Sequence, residues 1–196
     1  MRRYDIINHF IKCFHYTQYL EIGVEDGCNI RFIQCENITG VDPTSQYATH
    51  KQTSDEFFRA LPPQTTFDII FIDGLHVEEQ VTRDIDHSLE HLSPNGTIVV
   101  HDCNPPTAWH QRSYEEAQKN GCREWNGTVW RSIVHFRTIR SDLEIYVIDT
   151  DWGCGVIRRG CQLTLTINRN EITYDNFDKY RAIWLNLITP ALFLEQ

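Results

Sequence analysis

The sequence predicts an α/β fold built on a doubly wound, mostly parallel sheet. Short apolar runs alternate with segments of helical periodicity through the first half of the chain. This alternation is typical of βαβ units, whose helices cover both faces of a parallel sheet. The run Asp68-Ile-Ile-Phe-Ile-Asp73 is almost entirely apolar, as expected of a central strand buried on both sides.

The elements of the first half follow from the spacing of apolar residues. The predicted helices are 4–14, 29–35, 54–61 and 78–92, and the predicted strands are 18–22, 38–41, 67–72 and 97–101. A turn at Ser93-Pro94-Asn95-Gly96 separates the fourth helix from the fourth strand. The strands 67–72 and 97–101 therefore lead into Asp73 and Asp102 at the carboxyl edge of the sheet, where open α/β sheets bind ligands.

The second half is less regular, and its elements are predicted from shorter patterns. Helices are expected over 111–120, 127–140 and 175–187, and strands over 143–148, 154–158 and 163–167. We find no internal repeat or linker, and a chain of 196 residues suits one domain.

Composition limits the partners of the chain. With 18 Lys and Arg against 27 Asp and Glu, the formal charge is −9, which argues against nucleic acid and favours a small-molecule substrate. Seven cysteines without C-x-x-C spacing indicate neither a disulfide framework nor a zinc site. The sequence has no apolar run suited to a signal peptide or a membrane span, so we expect a cytoplasmic protein without a membrane partner.

A glycine-containing loop follows the first predicted strand, in Glu21-Ile-Gly23-Val-Glu25-Asp26-Gly27. Gly23 and Gly27 allow a tight turn and a close approach of the backbone to a ligand. The two acids between them oppose a pyrophosphate but suit a cationic sulfonium and ammonium group. The loop therefore favours S-adenosylmethionine (SAM) over NAD, with Glu21 as a further binding residue.

Two further positions fit an adenosine ligand. Asp42, at the end of the second strand, is placed to accept both ribose hydroxyls, a role that it would equally play for NAD. Ser54 and Asp55 begin the next helix and are placed to reach an adenine edge, although a helix-capping role for Ser54 explains it equally well.

Four motifs in order resemble the class I SAM-dependent methyltransferases: YLEIG, VDP, FDIIFIDGLH and GTIVVHDCNP. The resemblance is closest to the branch whose fourth strand ends in F-I-D-G-x-H; in the numbering of that family, the predicted strands 67–72 and 97–101 are the fourth and the fifth. It implies a Rossmann-like sheet of seven strands, mostly parallel with an antiparallel C-terminal hairpin. It further implies one methyltransferase domain over 1–196, with an N-terminal helix over 1–17, a cofactor half over 18–105 and a substrate half over 106–196. Two departures are Glu25, in place of the usual middle glycine, and a third strand hardly visible in 47–53.

The resemblance also implies a reaction centre. In related catechol-type O-methyltransferases, acids after the fourth and fifth strands and a following Asn hold a magnesium ion. Asp73 and Asp102 match the acids, and Asn104 stands one place later than the usual Asn. Such oxygen ligands suit Mg²⁺ or another divalent cation. The alternative is that Asp73 caps its turn and contacts the cofactor.

Two histidines are candidate general bases, because an imidazole can accept a hydroxyl proton near neutral pH. His76 precedes the helix after Asp73, and His101 precedes Asp102. We favour His76, because side-chain alternation along the strand would point His101 away from the face of Asp102.

Two tryptophan-containing segments, 125–131 and 149–155, lie where this fold usually builds its acceptor site. Trp130 and Trp152 suit either stacking on an acceptor or a plain core position. The function expected is SAM-dependent methyl transfer to an oxygen of a sugar, phenol or similar metabolite. One alternative is an NAD(P)-dependent or nucleotide-sugar oxidoreductase, which the acidic glycine loop disfavours and whose Y-x-x-x-K pair is matched only by Tyr47 and Lys51, in the wrong place. The other is a silent SAM-binding module. Whether the chain forms a homodimer is left open by the sequence.

Overall fold

The computed structural model describes residues 1–119 and 124–195. The chain falls into two compact units, the first formed by residues 1–75 and 80–100 and the second by residues 76–79 and 101 onward. Within the described residues, no helix is both long enough and apolar enough to cross a membrane.

The first unit is a four-stranded parallel sheet with its helices. Its elements are α1 (Arg3–Phe14), β1 (Gln18–Ile22), β2 (Asn37–Val41), α2 (Ser54–Ala60), β3 (Phe67–Ile72), α3 (Glu78–Glu90), whose first two residues belong to the second unit, and β4 (Leu92–Val100). The strands lie in the order β2-β1-β3-β4. The apolar residues 69–72 of β3 and 98–100 of β4 are at most 1% exposed, as expected for strands covered on both faces.

Two predictions for this unit are wrong, and the third strand that is hardly visible in the sequence is not formed in 47–53. Residues 29–35 form only a short 3-10 helix, Ile30–Phe32, because the Asn29 and Arg31 side chains bind the glycine loop instead of extending a helix. The turn 93–96 lies inside β4, where the pairing with β3 jumps from Phe67–Leu92 to Ile69–Thr97 and absorbs the extra residues as a bulge. The segment 47–53 contributes a single bridge between Val41 and His50, not a strand.

The second unit contains α4 (Tyr114–Lys119), α5 (Val129–Ile139), β5 (Leu143–Ile148), β6 (Cys154–Arg159), α6 (Tyr174–Trp184), β7 (Leu187–Ile188) and α7 (Pro190–Leu194). Strands β5 and β6 form the predicted antiparallel hairpin, and β7 pairs with β5 in parallel. Trp130 of α5 is fully buried and packs on Phe177 of α6, with ring centroids 4.2 Å apart.

Sequence patterns were less reliable in this unit. The predicted strand 163–167 is absent, and Leu163, whose apolar side chain indicated a buried strand position, is 92% exposed. The predicted helix 111–120 is the shorter α4, preceded by a 3-10 helix, Ala108–Gln111, and its last residue, Asn120, lies outside the described residues. Strand β7 and helix α7 were not predicted. The fold class itself is confirmed: an α/β, Rossmann-like fold with seven strands, mostly parallel and with a C-terminal antiparallel hairpin.

Candidate active site

Gly23 follows β1 and packs its backbone against Asp73, the residue that follows β3. Its φ is +86°, and a Cβ there would lie 2.1 Å from the carbonyl oxygen of Asp73. A glycine is therefore needed for the two chain segments to approach each other. The space that a side chain at Gly23 would need is filled by the backbone of residues 73 and 74, and the close approach of the Gly23 backbone to a cofactor stays a prediction.

Glu21 lies behind this loop, 1% exposed. Its Oε2 accepts hydrogen bonds from the Tyr19 hydroxyl and from Nδ2 of Asn29, the latter at 2.9 Å. Burial raises the pKa of Glu21 to about 7, although both hydrogen bonds act to lower it. Glu21 thus anchors the loop from within, and its contact with a cofactor stays a prediction.

Asp42, after β2, organises two loops at once. Its Oδ2 accepts from the backbone N–H groups of Val24 and Glu25, and its Oδ1 accepts from the backbone of Thr44 and Ser45 and from the Thr44 hydroxyl. Burial acts to raise the pKa of Asp42, but the hydrogen bonds outweigh it and hold the pKa below its ordinary value. Both oxygens are therefore engaged within the protein, so the predicted bidentate ribose contact would have to share them.

The far end of the loop is covered by an aromatic ring that the sequence did not indicate. A Cβ on Gly27, whose φ is +74°, would lie 2.8 Å from the Tyr47 ring. Arg31 donates from Nε to the Gly27 carbonyl at 2.8 Å and stands 5.5 Å from the centre of that ring. The Tyr47 ring therefore leaves no room for a side chain at position 27, and Tyr47 itself is 41% exposed beside the loop.

The structure turns Ser54 and Asp55 towards α3. The Nε2 of Gln80 lies 3.2 Å from the Ser54 hydroxyl and 3.2 Å from Oδ1 of Asp55, and Nε of Arg83 lies 3.5 Å from the same Oδ1. The cap of α2 is Thr53, whose hydroxyl accepts from the backbone of Glu56, so Ser54 is not the capping residue. An adenine contact of Ser54 or Asp55 stays a prediction.

Asp73 is partly buried and lies beside the first residue of α1. The Nε of Arg3 is 3.7 Å from its Oδ2, with the two side chains 25% and 17% exposed. Arg3 was not among the candidates, because no sequence pattern links the start of a helix to a strand end seventy residues away.

In the second unit, Asp102 is the centre of a buried polar cluster. Its Oδ2 lies 3.1 Å from Nδ1 of His101 and 3.3 Å from Nδ1 of His76, and its Oδ1 accepts from Nδ2 of Asn126 at 2.8 Å. The expectation that His101 points away from Asp102 is wrong. Strand β4 ends at Val100 and Asp102 has a left-handed φ of +60°, so strand alternation no longer applies there.

His76 is held by the segment that contains Trp125. Its Nδ1 is 3.1 Å from the Trp125 carbonyl oxygen, its ring stacks on the indole at 5.1 Å, and its own carbonyl accepts from the Thr128 backbone. Because Nδ1 faces a carbonyl and a carboxylate, which only accept, this nitrogen carries the proton. The Nε2 of His76 is then the basic nitrogen. The same argument applies to His101 through Asp102, and the Nε2 of His101 lies 3.9 Å from Oδ2 of Asp151.

Asn126 is a second functional candidate, besides Arg3, that sequence reasoning missed. It is fully buried, its Nδ2 donates to Asp102, and its Oδ1 has no hydrogen-bond partner among the residues that the structure describes. A buried acceptor without a donor costs about 1–3 kcal/mol. The only signal was its place between Trp125 and Gly127, in a segment already proposed for the acceptor.

Asn104, the predicted third metal ligand, is tied into other contacts. Its Oδ1 accepts from the guanidinium of Arg181, and its Nδ2 donates to Oδ1 of Asp149 at 2.9 Å. An amide oxygen that accepts from a guanidinium is a poor ligand for a divalent cation, because the positive charge of Arg181 at that atom repels the cation. The metal site with Asp73 and Asp102 stays a prediction.

The two tryptophans left open have different environments. Trp130 is core, with its Nε1 donating to Gln111. Trp152 is 37% exposed, and Asp151, Trp152 and Gly153 have successive positive φ values of 47°, 67° and 89°. These residues, with Asn104, Asp149 and Arg181 among others, line a cavity of about 280 Å³.

Residues 20–103 match the model of a family described as a methyltransferase domain. Among curated proteins, none matches the sequence. The SAH-bound methyltransferase PaMTH1 of Podospora anserina is 14% identical, with 81% of this chain and 78% of that one aligned and a TM-score of 0.59. The O-methyltransferase TomG of Streptomyces achromogenes, solved with SAM, is 14% identical over 80% of this chain and 79% of its own, with a TM-score of 0.56.

A third solved structure, the O-methyltransferase of Bacillus cereus in complex with SAH, is 12% identical over 80% of each chain, with a TM-score of 0.57. These similarities show a shared fold, and the family match adds the activity class. Residues 20–103 therefore resemble a methyltransferase domain, and this match supports a methyltransferase as the activity class of the chain.

Proposed function

We propose that this enzyme transfers the methyl group of SAM to an oxygen of a small-molecule acceptor, such as a sugar or a phenol, and that both units act as one methyltransferase domain. The observation that carries the proposal is the Asp102 cluster, in which one buried carboxylate faces the Nδ1 atoms of His76 and His101. Methylation of a hydroxyl oxygen needs a general base that takes the hydroxyl proton, whereas a protein that only binds SAM needs no such base.

The cofactor part of the proposal rests on the glycine loop. Glu25 and Asp26 are exposed acids on a loop whose backbone is set by Gly23, Gly27 and Asp42. Their charge suits the sulfonium and ammonium groups of SAM and opposes the pyrophosphate of NAD. Two of the compared structures were solved with SAH and one with SAM, which supports the same cofactor for this chain.

The reaction then follows from the tautomers. The Asp102 carboxylate holds Nδ1–H of a histidine and leaves Nε2 to accept the proton of the acceptor hydroxyl. The hydroxyl oxygen attacks the methyl carbon in line with the carbon–sulfur bond, which breaks and returns its electron pair to sulfur. The products are the methyl ether, SAH and an imidazolium that Asp102 stabilises. Positioning and exclusion of water supply most of the acceleration.

A divalent cation on Asp73 and Asp102 would lower the pKa of the acceptor hydroxyl. Asn104 is a poor ligand for it, because the guanidinium of Arg181 donates to its oxygen. Each step above is therefore assigned to the histidines. If activity vanishes in EDTA and returns with Mg²⁺, the cation and not a histidine activates the acceptor hydroxyl. Activity that persists in EDTA supports the histidine mechanism.

The proposal is tested by following SAH formation from SAM with a panel of phenols and sugars. Under the histidine mechanism, either His76→Ala or His101→Ala lowers turnover by roughly 10²–10⁴-fold and removes the pH limb near the imidazole pKa. The other variant, as a positioning change, has a smaller effect. Binding of NAD but not SAH by the wild-type protein would overturn the proposal in favour of an oxidoreductase.

A further inference from the structure

The feature that carries a further inference is Arg3, the first residue of α1. The helix is fixed to the first unit by Ile6 and Ile7, both fully buried, and by Phe10, so the position of its first turn is fixed as well. From there Arg3 extends its guanidinium to within 3.7 Å of the Asp73 carboxylate. Asp73 in turn touches Gly23 through its backbone, which brings Arg3 to the edge of the glycine loop.

The electrostatic environment supports this placement. Burial is the main cause that raises the pKa of Glu21, and hydrogen bonds with Cys28 are the main cause that lowers the pKa of Asp26; the charge of Arg3 acts to lower both as a smaller contribution. Arg31 also acts on Asp26 and Cys28, but it is held by the Gly27 carbonyl and the Tyr47 ring. Arg3 is thus a basic residue placed beside Asp73 by the start of α1.

The cofactor has a charge pattern that this arrangement complements. The methionine part of SAM carries a sulfonium, an ammonium and an α-carboxylate. The acids of the loop suit the two cations, but they repel the carboxylate unless a cation stands among them. A guanidinium is the side chain that matches a carboxylate in two parallel hydrogen bonds.

We propose that Arg3 binds the α-carboxylate of the methionine part of the cofactor, so that the N-terminal helix supplies a cofactor-binding residue. This inference rests on the proposed function. Arg3 then bridges two carboxylates, that of Asp73 and that of the cofactor, with the five N–H donors of its guanidinium. The helix α1 becomes part of the cofactor site and not only a packing element.

The test compares two probes by calorimetry: SAH, which has the amino-acid part, and 5′-methylthioadenosine, which lacks it. Arg3→Ala should weaken SAH binding by roughly 10- to 100-fold, the usual cost of losing a charge-assisted hydrogen bond. It should leave the binding of methylthioadenosine within about twofold of wild type, because that probe has no carboxylate. Arg3→Lys should recover part of the loss as a point charge.

Arg2→Ala is the matched control, because it removes the same charge one residue earlier and should bind both probes like wild type. Unchanged SAH affinity in Arg3→Ala overturns the inference. Equal losses for both probes overturn it as well, because they indicate a distorted adenosine site. If the wild-type protein binds neither probe, the proposed function fails first, and that result is distinct from the previous two.

Discussion

Replacing Gly23 with alanine should destabilise the fold strongly, because the added Cβ brings both backbone strain and a steric clash. At a φ of +86° an L-residue costs about 1–2 kcal/mol relative to glycine. The new Cβ would also lie 2.1 Å from the Asp73 carbonyl oxygen and 2.6 Å from the Cα of Gly74, all backbone atoms that cannot rotate away. Overpacking of this kind costs about 1–3 kcal/mol. The expected loss is therefore about 2–5 kcal/mol of unfolding free energy.

The measurement is a urea titration, in which such a loss lowers the midpoint by about 1–2 M. Gly74→Ala is the matched control at the same place: its Cβ would meet Ile22 Cγ2 at 3.5 Å, an ordinary contact, and its φ is not left-handed. We expect its midpoint to stay near wild type. A Gly23→Ala midpoint equal to that of the control would refute the backbone-contact argument and restore the view that Gly23 only makes room for a ligand.

Two further predictions concern the carboxylates of the loop. Asp42→Ala should weaken SAH binding by about 1.5–3 kcal/mol, because the carboxylate orders the backbone of residues 24, 25, 44 and 45; calorimetry measures this, and an unchanged affinity would remove Asp42 from the site. Because the pKa of Asp42 is lowered, its stabilisation should be complete above pH 4 or so and fall away below it, where the folded group takes up its proton. Glu21 behaves in the opposite sense: its pKa is raised from 4.5 to about 7, so the folded state keeps a proton that the unfolded state releases, and stability should fall as pH rises through this window. Glu21→Gln should flatten that dependence in urea titrations at several pH values, and an unaltered profile would assign the effect to another group.

Local sequence patterns predicted the bounds of an element correctly where a clear sequence signal marks its end. Strands β1, β3 and β5 have the bounds that their apolar runs predict, since a charged or turn residue stands at the end of each. Helix α1 agrees to within a residue because its apolar stripe, Ile6, Ile7, Phe10 and Ile11, is the buried face. Strand β4 was predicted too short, since Pro94 and Gly96 signal a turn locally, whereas pairing with β3 keeps them in the strand as a bulge.

The candidate site was predictable only in its chain-local part. Asp102 and the two histidines were named from their positions after strands, but their arrangement depends on a left-handed φ at Asp102 that no spacing rule anticipates. Arg3 and Asn126 were missed because each reaches its partner across a long stretch of chain. Contacts of this kind are set by packing of whole elements, and a pattern of neighbouring letters does not carry them.

Glu25 has a backbone conformation that is typical of glycine. It occupies the position where related loops have their middle glycine, and its φ is +46°, a conformation that glycine adopts without strain and glutamate adopts at a cost of about 1–2 kcal/mol. The loop therefore has a glycine-like backbone conformation at a position that is occupied by glutamate. Gly23 and the Asp42 carboxylate hold the neighbouring backbone from both sides and so support this conformation. The dihedral angles at this turn thus identify the loop where its residue letters alone do not.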